Sequence, residues 1–357
     1  MPRFVRLGSF AALALAAGIS TTALAQRRGS SARSAASPQA EATARIVAAA
    51  QAVLATLDEA GKAEVLFAFD SPQRTNWSNL PSPMFQRNGL RLADLSAPQR
   101  DAVMSLLSAA LSADGYRKVN QIMDGDEVLR TQGSGGRGRG PGGGGGPSFG
   151  KDQYFLAFVG TPSVSAPWML QFGGHHLAIN LTMAGSQATM APSLPAAQPA
   201  SYAFEGRTVR PLGSENDKAF ALINALDAGQ RGQAILNYRV ADLVLGPGRD
   251  GRAIEPEGIR ASALAAAQQQ ALLDLVREWA GIINDAFAEP RMAEIKTNLP
   301  NTYFAWSGPT TNGSAAYFRV QAPTLIVEYA PQQGSVDHIH TIYRDPTNDY
   351  GAKYTRR

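Results

Sequence analysis

In residues 42–57 apolar side chains recur at helical spacing, with Ile46, Ala49, Ala50, Val53 and Leu57 on one stripe. This predicts a helix running through "EATARIVAAAQAVLATLDEAGKAEVLFAF". A second helical block, "SAPQRDAVMSLLSAALSADGYRKVNQIMDGDEVLR", opens with Ser96 as a cap and Pro98 in its first turn, and Gly115 marks a break in it. Beyond residue 150 the period shortens to two. "DQYFLAFVG", "APWMLQF" and "HHLAINLTMAG" read as strands punctuated by Gly and Pro. Helix returns in "SENDKAFALINALDAGQRGQAIL", with Ser214 as a candidate cap. It returns again in "SALAAAQQQALLDLVREWAGIINDAFA", expected to be the longest helix, with Leu272, Leu275, Trp279, Ile282 and Ala286 along one face. Four closing runs, "NTYFAWSG", "AAYFRVQAP", "TLIVEYA" and "DHIHTIYRD", read as an antiparallel meander. Strand and helix do not alternate regularly, and no internal repeat is visible. The pattern predicts an α+β fold, one large domain of mostly antiparallel sheet flanked by helices.

The ends and one interior stretch fall outside this pattern. Residues 1–25 carry Arg3 and Arg6, then the short apolar run "FAALALAAGI", then Ala23-Leu24-Ala25 before Gln26. That is the layout of a cleavable signal peptide, and it predicts a periplasmic or secreted protein. Residues 26–41 read as a disordered lead-in, 42–351 as the folded domain and 352–357 as a tail. Within the domain, "QGSGGRGRGPGGGGGPSFG" (132–150) reads as a disordered insertion. Its ends need not mark a domain boundary, because a long surface loop costs little closure entropy. No later run reaches membrane-spanning length. Cys is absent, so neither a lipid-anchored cysteine nor a disulfide framework is available.

Charge changes the picture once its location is considered. Nine of the 33 basic residues lie in the ends or the glycine tract, which leaves 24 against 29 acidic residues in the probable folded part. A mildly acidic domain does not have the footprint of a nucleic-acid binder. The expected partner is a small-molecule substrate or ligand.

The candidate chemistry lies in histidine. The chain has four, all in two tight clusters: His175 and His176 in "QFGGHHLAIN", and His338 and His340 in "DHIH". On a strand, His338 and His340 point to the same face about 7 Å apart, so both can converge on one ion while Ile339 faces the core. Adjacent His175 and His176 would face opposite ways on a regular strand. Either one joins the site, or the preceding glycines let both reach it. Glu328 in "TLIVEYA" precedes a loop that folds its strand back toward "DHIH", and is the candidate ligand or base. Asp337 is a candidate acceptor for an imidazole N–H. Histidines with a carboxylate and no Cys suit one divalent transition metal (Zn, Cu or Fe) over Ca or Mg. A metal-free site with histidine as acid or base, and purely structural histidines, are the competing readings.

Arg344 in "YRDPTNDYG" and Arg319 in "YFRVQ" are candidate clamps for an acidic substrate, although the former stretch also reads as a polar turn. Trp77, Trp168 and Trp306 offer a ligand platform or core packing. The sequence contains no P-loop, HExxH or GxSxG, and no GxGxxG between a strand and a helix.

The stretches "WMLQFGGHHLAIN" (168–180), "FAWSG" (304–308), "YFRVQ" (317–321) and "LIVEY…DHIHTIYRDPTNDYG" (325–351) together resemble the DUF3500 family, a domain of unknown function. "RNGLRLADL" (87–95) and "ALDAGQRGQA" (225–234) fit as well. The resemblance spans about 42 to 351, with the glycine-rich stretch as an insertion peculiar to this chain. It implies that His175, His176, Glu328, His338, His340 and Arg344 sit in family motifs, and brings no activity with it. The expected function is therefore a histidine-based metal site that hydrolyses (or oxidises) a small acidic or polar substrate, with a non-catalytic ligand- or metal-binding protein as the alternative.

Overall fold

The first apolar stripe is cut where Asp58 accepts a hydrogen bond from the Gly61 amide, and one helix becomes two: α1 (Pro38–Ala55) and the seven-residue α2 (Glu59–Val65). A computed structural model describes residues 36–132 and 147–355. The expected signal peptide, most of the lead-in, the glycine tract at 133–146 and the last two residues lie outside the described residues. At the edges of those regions the chain is ordered. Ser37 caps α1, Ser148 bridges to Ser82, and α9 (Ala352–Thr355) takes up the start of the expected tail.

After α2 come β1 (Leu66–Phe67), β2 (Leu90–Arg91), α3 (Ala97–Ala110) and α4 (Ala113–Gln132). The break in this helical pair falls at Leu111–Ser112, where Ser112 bonds the carbonyls of Gly281 and Ile282. Gly115 lies inside α4 instead, because a Cβ there would stand 2.2 Å from the Ile282 carbonyl oxygen. Strands β3 (Phe155–Val159), β4 (Trp168–Gly174), β5 (Leu177–Ala184), β6 (Gln187–Thr189) and β7 (Leu194–Pro195) follow. With β1 and β2 they form a seven-stranded sheet that is antiparallel except for the β1–β3 pair. A small hairpin, β8 (Tyr202–Phe204) with β9 (Arg207–Val209), leads to α5 (Gly213–Ala225) and α6 (Ala228–Ala234). Ser214 falls in the first turn of α5, whose N-cap position is Leu212.

Then come β10 (Ile259–Arg260), α7 (Ala266–Ala280), α8 (Asp285–Thr297), β11 (Tyr303–Ser307), β12 (Tyr317–Ala322), β13 (Leu325–Pro331) and β14 (Ile339–Arg344). The expected longest helix is split between α7 and α8, because the Asn284 side chain caps a fresh start at Ala286. Strands β10 to β14 form a five-stranded antiparallel sheet in chain order, the meander expected from the sequence. The fold is therefore α+β, with nine helices and three sheets among the described residues and no closed barrel.

The architecture contains a repeat that the sequence pattern hid. Leu57-Asp58 recurs as Leu226-Asp227, Gly89-Leu90-Arg91 as Gly258-Ile259-Arg260, and Leu95 and Gln99 as Leu264 and Gln268, each 169 positions on. Asp58 and Asp227 cap helices of seven residues each. Gln99 and Gln268 close the start of α3 and α7. In the sheets the spacing becomes 148: Leu90 pairs Leu156 as Ile259 pairs Phe304, and Gln171 pairs Asn180 as Arg319 pairs Glu328. The spacing shortens by 21 residues between α3 and β3, the span that holds the glycine tract in the first half. There are two large apolar cores, one around Ile46, Leu106 and Phe158 and the other around Leu222, Trp279 and Phe318, and Ile282, Ile283 and Phe287 of the second half pack in the first. The two halves are joined edgewise where Ser193 bridges Tyr343 and Ala197 bridges Ile339.

Gly89 and Gly258 are equivalent and equally constrained. Their φ values are +102° and +92°, and a Cβ on either would lie 2.2 Å from a strand carbonyl, Leu156 or Phe304. Gly89→Ala and Gly258→Ala should each lower stability by at least the roughly 1–3 kcal/mol of a strained backbone. Urea midpoints check this; a loss below about 0.5 kcal/mol, the ordinary surface range, at both would contradict it.

Candidate metal centre

His175 and His176 form the two-residue turn that joins β4 to β5, since Gly174 pairs with Leu177. His176 takes a left-handed backbone (φ 61°), which turns the chain so that strand alternation no longer applies. Gly174 allows the approach: a Cβ there would lie 2.7 Å from the Tyr154 ring, whose hydroxyl donates to the His175 carbonyl at 2.8 Å. The turn is held from outside as well. Arg87 donates to the carbonyls of Ser78, Leu80 and Gly174, and the His176 amide donates to Asn79 O. Burial among these carbonyls lowers the Arg87 guanidinium to about 10.

From the second half, His338 precedes β14 and His340 lies on it, opposite Ala330. The three Nε2 atoms meet. That of His338 lies 2.9 Å from His176 and 3.0 Å from His340. The His338 ring stands at 74° and 86° to the other two, so the three are not stacked. His176 and His340 are buried and His338 is partly exposed. Burial first, then the neighbouring imidazoles, holds His176 well below the usual histidine range, and the same causes push His338 down to about 4. At neutral pH both rings are uncharged.

Hydrogen bonding alone leaves one of the two close Nε2 contacts without a proton of its own. One Nε2 is either a donor or an acceptor. His340 directs its Nδ1 toward Asp242 Oδ1 at 2.9 Å, the geometry of the tautomer that carries its proton on Nδ1 and its lone pair on Nε2. His338 Nε2 then has two close nitrogen neighbours and one proton or one lone pair to offer them. A cation at the centre uses all three lone pairs. Tetrahedral zinc with Zn–N of about 2.0–2.1 Å separates its nitrogens by about 3.3 Å, so small side-chain rotations would open the trio to fit. The residues can therefore hold a metal ion.

Two carboxylates flank the trio. Asp242 holds His340, and that contact, against the opposing effect of burial, keeps its carboxyl below the usual range. Asp126 on α4 is 1% exposed and lies 2.5 Å from His175 Nδ1; burial pushes its carboxyl up. The His175 ring lies 3.6 Å from that of His176, centroid to centroid. The structure thus brings all four histidines together, three around one point and His175 behind them on Asp126.

The other expected site residues lie elsewhere. Both Glu328 oxygens are taken, by the amides of Val244 and Leu245 and by the Tyr317 hydroxyl. It fastens the loop that carries Asp242. Arg344 is engaged by Asp250 and Asp349 and by the carbonyls of Leu245 and Gly246, and Arg319 by Glu257. Asp337 caps the Ala200 amide and bonds no imidazole. Trp168 and Trp306 are core residues, and Trp77 donates to the Tyr350 hydroxyl. Sequence reading missed Asp126, Asp242 and Asn79, whose amide nitrogen lies 3.3 Å from His340 Nε2. Each lies far along the chain from the histidine it meets, with no spacing signal linking them.

A family model described as "Protein of unknown function (DUF3500)" matches residues 39–352. No curated protein and no solved structure matches.

Proposed function

This chain belongs to the DUF3500 family, and we propose that it is an exported metal-dependent hydrolase with one zinc ion on Nε2 of His176, His338 and His340. The observation that carries this reading is the convergence of three imidazole Nε2 atoms, with that of His338 2.9 and 3.0 Å from the other two and only one proton or one lone pair to offer both. Three histidines leave zinc a fourth position for water, and zinc brings such water to a pKa near 7, which supplies a nucleophile at neutral pH. The partial exposure of His338 supports a fourth position open to solvent. Hydrolysis is preferred over oxidation because it needs no redox partner. Export rests on residues 1–25; among the described residues no helix is long and apolar enough to cross a membrane.

One observation favours a second reading, a non-catalytic metal-binding protein. Two roomy clefts among the described residues, of about 990 and 470 Å³, are lined by residues other than the trio. Cobalt substitution separates the two readings. The hydrolase should give tetrahedral cobalt bands that shift on adding thiocyanate or acetohydroxamate. Bound cobalt whose spectrum ignores both ligands would rule out the open position and leave the binder.

A further inference from the structure

A neutral histidine that binds metal through Nε2 carries a proton on Nδ1, and that proton is nearly always given to a carboxylate or carbonyl. His340 obeys this through Asp242. His176 does not: its Nδ1 is fully buried and has no hydrogen-bond partner among the described residues. Asp126 Oδ2 is buried and makes no hydrogen bond within 3.5 Å among the described residues, although the Gly150 amide and the Tyr154 hydroxyl, which donates to His175 O, lie close enough to favour the carboxylate. The two residues are close, since a ligand atom from each of Asp126, His175 and His176 lies within 4.8 Å of the others. Leaving both unpaired would cost on each side the desolvation of a buried polar group.

We propose that Asp126 is the positioning carboxylate of His176. Its Oδ1 binds the His175 ring, and its Oδ2 accepts the His176 Nδ1 proton when metal is bound, directly or through one enclosed water. The buried Asp126–His175 pair is thereby tied to the metal centre, and each half of the repeat contributes one carboxylate: Asp126 behind His176, Asp242 behind His340. The alternative use of the same atoms, a second cation bridged to the first through His176, fits less well. The His175 and His176 ring centroids lie 3.6 Å apart with the planes tilted by 33°, so their in-plane lone pairs run more alongside each other than toward one point.

This assignment rests on the zinc reading, and its test keeps the two apart. Zinc affinity is measured by chelator competition for the full chain, Asp126→Asn and Asp126→Glu, alongside imidazole nitrogen NMR of the zinc-loaded wild type. The expected result is one zinc throughout, bound about 10- to 100-fold more weakly by Asp126→Asn and partly restored by Asp126→Glu. In the wild type, a slowly exchanging His176 Nδ1–H should appear on zinc loading. That spectrum decides the matter even if Asp126→Asn fails to fold. Asp126→Asn binding within twofold of wild type, or a His176 Nδ1–H that exchanges freely, would confine Asp126 to His175. Two zinc ions in the wild type, one lost in Asp126→Asn, would make Asp126 a ligand and overturn the assignment. A wild type that takes no zinc removes the metal reading itself and this assignment with it.

Discussion

Replacing His338 and His340 by Ala should reduce zinc affinity by about 10,000-fold or more. The estimate comes from about 10–16 kcal/mol for a four-ligand site, or about 3 kcal/mol and about 100-fold or more per imidazole. His338 sits between the other two nitrogens, so its loss alone leaves His176 and His340 without a bridging partner. The fold should survive the double substitution. Ile339 and the β13–β14 ladder carry the local packing, and Asp242, whose side chain is exposed, can turn to water once the His340 ring is removed. Zinc at a thousandfold excess over its Kd should stabilise the wild type by about 4 kcal/mol and the double variant not at all. Equal zinc-induced stabilisation of both would contradict the assignment of the ligands.

The second large effect lies between the halves, at Lys118. Its ammonium lies 2.5 Å from Glu215, which is fully buried, and also reaches Glu278 on α7. Burial pushes the Glu215 carboxyl up, and Lys118 opposes this. Lys118→Met strands a buried carboxylate and should cost about 3–5 kcal/mol at pH 7. The sign of the pH dependence follows from linkage. A carboxyl whose folded pKa is raised opposes folding only where the unfolded chain would be ionised. The deficit should therefore be largest at neutral pH and shrink as pH falls toward about 4, the unfolded carboxyl range. The repeat supplies the rescue. Ile46 occupies the position of Glu215 in the first half and is fully buried, so Lys118→Met with Glu215→Ile should recover most of the loss. Denaturant midpoints of the three variants at pH 5 and pH 7.5 test this; a Lys118→Met deficit independent of pH would show that Glu215 is not the cause.

Much of this site could be read before any fold was known, for reasons specific to histidine. The four imidazoles are confined to two motifs, and the period-2 rule correctly places His338 and His340 on one side with Ile339 in the core. The rule fails at "GGHH" because those residues are a turn, and the left-handed backbone at His176 is not encoded by spacing. Glu328 misleads for a physical reason as well. A lone carboxylate in an apolar strand signals a buried polar role, but it does not say whether the partner is a metal or two loop amides. Asp126, Asp242 and Asn79 reach the histidines only through tertiary folding. The repeat stayed hidden because its shared residues are caps and turn glycines separated by unlike sequence, and because the spacing shifts between α3 and β3. Once β10 is seen to pair with β11 as β2 does with β3, the recurring Gly, Leu and Gln positions become legible.

The most direct test of the zinc assignment is the metal content of the full chain, purified without a histidine tag or chelator and measured by elemental analysis. The account predicts about one zinc per chain, lost in His338→Ala with His340→Ala. A wild-type protein that stays metal-free after zinc, copper and iron are added back would contradict it and make the converging imidazoles a hydrogen-bonded cluster.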